Sequence, residues 1–197
     1  MKQQFHRVTW ITEIHRNFFG TGNHDEADYH QAVENIRRTN PGAVLLNTDF
    51  AESSELIQYL EQLQYDLGGC PLYFTLGNHT RGNSIRQIRL HVQEYFSAIP
   101  TITYLGACDL PVPLTESVAL VGYDGWSETR FDQWDVAFEK IKKDSPQQHR
   151  QAKWHRPSKR LDAAASKAAA HLFTILTQAT RQFPIVILLA QLPLWLK

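Results

Sequence analysis

At 197 residues, with hydrophobic residues at 43% and charged residues at 20%, the chain has an ordinary globular composition and the length to bury a sizeable core as one domain over 1–197. Its 20 basic and 20 acidic residues cancel, which argues against general nucleic-acid binding, a role that usually needs a basic excess. No stretch reaches the ~18 apolar residues of a membrane span, and Met1-Lys2-Gln3-Gln4 does not have the form of a signal peptide. Cys70 and Cys108 are too far apart for a zinc-type pair or a Cys-x-x-Cys, so the expectation is two free thiols in a reducing cytoplasm.

In chain order, an apolar run of strand length at 7–12 comes first, followed by a weaker helical stretch from about Tyr29 to Arg38. A second run covers 43–47. Leu56, Tyr59, Leu60, Leu63 and Leu67 then recur at helical spacing, with Ser53 or Ser54 as the cap and Gly68-Gly69 as the stop. A third run covers 72–76. Ile85, Ile88, Val92, Tyr95, Phe96 and Ile99 mark a second helix, capped by Ser84 and closed before Pro100. A fourth run lies at 118–122, and Lys140 to Lys159 reads as a solvated polar segment. Leu161, Ala165, Ala168, Leu172, Ile175, Leu176 and Ala179 mark a long alanine-rich helix, and the apolar stretch from Phe183 to Leu196 reads as a buried strand at 185–190 plus its exit turn. Strand–helix alternation of this kind predicts an α/β fold with a mostly parallel sheet, in which ligands sit beyond the carboxyl ends of the strands.

Polar groups gather at those ends. The first run leads into Glu13-Ile14-His15, the second into Thr48-Asp49 and the third into Gly77-Asn78-His79. Glu13 and His15 are two apart, so on an extended segment both face the same way. Carboxylate, imidazole and amide oxygen together suit a divalent metal such as Mn, Fe, Zn or Mg. Asp49, on the middle segment, is placed to bridge a pair of ions, and a paired site clamps a phosphoryl group and activates water. Each piece alone is common: Asp after a strand begins many turns, and Asn-His after Gly is most simply a turn. The order and strand-end placement of all three make the combination specific.

These segments resemble the calcineurin-like metallophosphoesterases, whose pattern runs Asp-x-His, Gly-Asp, Gly-Asn-His-Asp/Glu, a later His and Gly-His-x-His. The resemblance rests on Thr12-Glu13-Ile14-His15, Asn47-Thr48-Asp49, Leu76-Gly77-Asn78-His79-Thr80, Leu120-Val121-Gly122-Tyr123-Asp124-Gly125-Trp126 and Val186 to Pro193. It implies a four-layer α/β sandwich with central sheets flanked by helices. It also implies Glu13 and His15 on a first ion, Asp49 bridging, Asn78 and Gln191 on a second, and His79 at the leaving oxygen. The reaction implied is attack of metal-bound hydroxide on a small phosphomonoester or phosphodiester.

The departures from that pattern are specific. Glu13 stands where the family has Asp, and its extra methylene moves the carboxylate by more than the ~0.2 Å tolerance of ligand distances. Thr48 replaces a Gly, Thr80 replaces an acid, and Gln191 offers an amide oxygen in place of an imidazole. The chain reaches Lys197 before any Gly-His-x-His, so the resemblance implies a fold missing its C-terminal strands, with an exposed apolar edge that invites self-association. The alternative expectation is a catalytically degenerate homologue acting as a binding or interaction module, or a truncated product without function.

Overall fold

The computed structural model describes residues 7–12, 23–48, 55–76, 85–124 and 159–190. Two sheets form the centre. The first has the order β1-β2-β3-β4, with β1 at Val8–Thr12, β2 at Ala43–Thr48, β3 at Leu72–Leu76 and β4 at Ile102–Tyr104, all parallel. The second has the order β5-β6-β7, with β5 at Val112–Pro113, β6 at Val118–Tyr123 and β7 at Ile185–Ala190. There β5 runs antiparallel to β6, and β7 parallel to it.

Side-chain alternation along the strands builds three apolar layers. Val44, Leu46, Leu72, Phe74 and Leu76 face α1 (Asn23–Arg38), α2 (Leu56–Asp66) and α3 (Ile85–Phe96), where they meet Tyr29, Val33, Leu56, Leu60, Leu63, Ile88, Val92 and Phe96. The intervening positions Ala43, Leu45 and Tyr73 face the other way and pack on Leu120, Ile187 and Leu189 of the second sheet. The far side of that sheet, Val121, Tyr123, Val186 and Leu188, is covered by Leu172, Ile175 and Ala179 of α4 (Lys159–Gln182). The described residues therefore stack as helices, sheet, sheet, helix, an α/β sandwich. Phe74 anchors the first layer, stacked on Tyr104 at 5.3 Å and edge-on to Phe96 at 5.6 Å between ring centroids.

Local chemistry explains the element ends. Gly68 and Gly69 both take positive φ, 69° and 79°, and their N–H groups cap the Tyr65 and Gln64 carbonyls, so α2 stops where the glycine pair predicts. At its start Glu55 occupies the cap position without a side-chain cap bond; the caps read from the sequence, Ser53, Ser54 and Ser84, lie outside the described residues. The second sequence-read helix closes at Phe96 rather than Ile99, whose N–H instead returns to the Phe96 carbonyl in a turn. The weaker helical stretch read from Tyr29 extends back to Asn23. The sequence reading passed over β4 and β5, three and two residues long, because neither spans enough residues to show a period. Both cysteines are free thiols, and no described helix is long and apolar enough to cross a membrane.

Candidate functional site

The carboxyl ends of five strands meet at one edge. Within the first sheet Thr12 is level with Asn47, and Asn47 with Thr75. Within the second, Tyr123 is level with Ala190. Side-chain hydrogen bonds join the sheets there, among them the Tyr104 hydroxyl donating to Asp124 Oδ2 at 2.6 Å. Asn47 Nδ2 donates to the Ala190 carbonyl at 2.6 Å, and the Leu76 N–H donates to Asp124 Oδ1 at 2.9 Å.

Along the same strands the layer between the sheets changes character. It is apolar at Ala43, Leu45, Tyr73 and Leu120, then polar at Asn47, Thr75 and Asp124, all of them buried. Thr75 Oγ1 donates to Asn47 Oδ1 at 2.9 Å, so the Asn47 amide is engaged at both ends. A buried polar group without a partner costs about 1–3 kcal/mol. Placing Asn47 and Thr75 level on adjacent strands lets each satisfy the other.

Asp124 is 1% exposed and the most heavily bonded of the three. Its Oδ2 accepts from Tyr104 Oη at 2.6 Å and from Arg89 Nε at 2.8 Å, and it pairs with Arg89 Nη2 at 2.7 Å. Burial works against the Arg89 charge, but the adjacent Asp124 carboxylate outweighs it and holds the guanidinium pKa above its ordinary value. The Tyr104 phenol is pushed strongly upward, first by burial and then by the Asp124 charge, so it stays a hydrogen-bond donor at any physiological pH.

All the residues that the sequence singles out for metal or catalysis, Glu13, His15, Asp49, Asn78, His79 and Gln191, lie outside the described residues. Among the described residues there is no group of three or more His, Cys, Asp or Glu side chains placed to share an ion. What the structure brings together is the frame those positions extend from. Sequence reasoning passed over Asn47 and Asp124 as functional-edge residues. A signal for Asp124 was present: Val118, Leu120 and Gly122 alternate toward the first sheet, and position 124 continues that series. No family model, curated protein or solved structure matches the chain.

Proposed function

We propose that the chain is a metal-dependent phosphoester hydrolase of the calcineurin-like metallophosphoesterase type, acting on a small phosphomonoester or phosphodiester in the cytoplasm. One observation carries the reading: the carboxyl ends of β1, β2, β3 and β7 meet at one polar edge. In the sequence each is followed within three residues by ligand-type side chains. Glu13 and His15 follow β1, Asp49 follows β2, Asn78 and His79 follow β3, and Gln191 follows β7. Three residues of chain reach about 11 Å at most, so the connectivity supports one shared site.

The donor set of carboxylates, imidazole and amide oxygens fits Mn, Fe, Zn or Mg. Glu13 and His15 would hold one ion, Asn78 and Gln191 a second, and Asp49 would touch both. Divalent ions bound there supply Lewis-acid activation and neutralise phosphoryl charge. His79 would carry a ring proton to the leaving oxygen.

The substitutions Glu13, Thr48, Thr80 and Gln191 favour a second reading, a degenerate homologue that serves as a binding module. The apolar edge strand β7 supports self-association. Among the described residues it pairs only with β6, and its Ile185 is 54% exposed. The two readings separate in a Mn²⁺-dependent assay of aryl phosphate hydrolysis on wild type, Asp49→Ala and His79→Ala. Turnover that rises with Mn²⁺ and is lost in both variants supports the hydrolase. Turnover absent, or unchanged by either substitution, overturns it.

A further inference from the structure

Leu76, the last residue of β3, has a backbone N–H without a strand partner. Alternate N–H groups of a parallel strand address the same neighbour. Leu72 N–H donates to the Thr101 carbonyl at 2.8 Å, on the β4 side. By that parity the Leu76 N–H also points toward β4. But β4 stops at Tyr104, the chain turns into a 3₁₀ segment at Leu105–Ala107, and the Leu105 carbonyl accepts from Cys108 N–H instead. A buried N–H left in that position would be an orphan. Asp124 Oδ1 fills the gap at 2.9 Å.

We propose that Asp124 is a positioning residue: its carboxylate stands in for the missing β4 neighbour and fixes the point at which β3 passes into Gly77-Asn78-His79. This rests on the metal-site reading above, because that triplet supplies a ligand and the acid. Asp124 itself does not serve as a ligand. One oxygen is held by Leu76, and the other by Tyr104 and by Arg89 Nε and Nη2. The carboxylate cannot turn without breaking a bond on β3, β4 or α3.

Two glycines make room for this arrangement. A Cβ at Gly106 would collide with Asp124 Oδ1 and lie 2.7 Å from Tyr104 Oη, and one at Gly122 would lie 2.9 Å from the Leu105 carbonyl carbon. With both absent, the 3₁₀ turn closes over the carboxylate. The tie is thus built from β6, the turn after β4, and α3 together.

The test uses the full chain as wild type, Asp124→Ala, Asp124→Asn and Ile175→Ala, the last a destabilised control in the α4 layer. Amide exchange is followed by NMR, and Mn²⁺ affinity by the EPR signal of the free ion. In Asp124→Ala, exchange at Leu76 is expected to accelerate at least about tenfold while Val44 and Phe74 stay protected. The Mn²⁺ Kd is expected to weaken by about 10–100-fold, the usual effect of losing a group that orients a metal ligand. Asp124→Asn keeps an acceptor oxygen and is expected to recover part of both; if the alanine variant does not fold, the asparagine variant is read instead and is expected to show faster Leu76 exchange and weaker Mn²⁺ binding than wild type, each by a smaller factor.

Unchanged Leu76 exchange in a folded variant overturns the proposal. So does a Mn²⁺ Kd no weaker than that of Ile175→Ala, because loss of stability alone would then account for it. Absence of saturable Mn²⁺ binding in the wild type overturns the hydrolase reading and the metal-positioning role with it, while exchange at Leu76 still decides the tie.

Discussion

Asn47 Nδ2 donates to the Ala190 carbonyl at 2.6 Å, so a side chain of β2 is bonded to the last residue of β7 across 143 positions of sequence. The bond joins the two sheets at the edge where the strand ends gather. With Thr75 on its other side, Asn47 is the polar pivot of that edge. Asn47→Ala leaves the Thr75 hydroxyl and the Ala190 carbonyl without this partner, and is expected to lower unfolding stability by about 1–3 kcal/mol. Urea denaturation measures the loss. In a double-mutant cycle with Thr75→Val the two losses are expected to be non-additive, because the residues share one bond.

Gly122 sits where β6 crosses the turn after β4. An added methyl would collide with the Leu105 Cβ and lie 2.9 Å and 3.0 Å from the Leu105 carbonyl and α carbons. Leu105 is 1% exposed and cannot swing aside. Gly122→Ala is expected to cost about 1–3 kcal/mol through overpacking, seen as a lower Tm. Gly68→Ala is expected to destabilise by a different route, since nothing lies within 4 Å of its Cβ position and the strain comes only from φ 69°.

The Tyr104 phenol gives a pH signature. Burial and then the Asp124 charge raise its pKa in the folded protein above the ordinary 10.0. The unfolded chain releases this proton first as pH rises. Below about pH 10 its contribution to stability is fully present; above that, stability falls by about 1.4 kcal/mol per pH unit until the folded-state value is passed. Urea unfolding between pH 8 and 11 is expected to show this decline in the wild type and a shallower one in Tyr104→Phe. That variant starts from lower stability, because Asp124 loses one donor.

Periodicity made the long elements legible in sequence. Leu56, Leu60 and Leu63 bury one stripe of α2, and Leu172, Ile175 and Ala179 one stripe of α4, at the spacing the sequence shows. The strands β2, β3 and β6 were visible as short apolar runs because they are buried on both faces between layers, and β7, only partly buried, because both its faces still meet apolar layers. The alanine-rich stretch gave its buried face as well, since Ala168 and Leu176 pack beside its buried stripe while Phe173, which lies outside it, is 72% exposed.

The polar frame of the candidate site was harder to read. Asn47 reads as the end of an apolar run and Asp124 as a turn residue. Their roles depend on which strand end lies across from them, and that is decided by the order β1-β2-β3-β4 and β5-β6-β7. Asp124 matters because β4 is short, a property of a neighbouring segment rather than of its own surroundings in sequence.

A calorimetric titration of Mn²⁺ into metal-stripped wild type and Asp49→Ala reads the proposed metal site itself. One or two ions are expected to bind saturably to the wild type, with affinity lost in the variant because Asp49 is proposed for both ligand sets. No saturable binding to the wild type, or binding that Asp49→Ala leaves unchanged, would contradict that proposal.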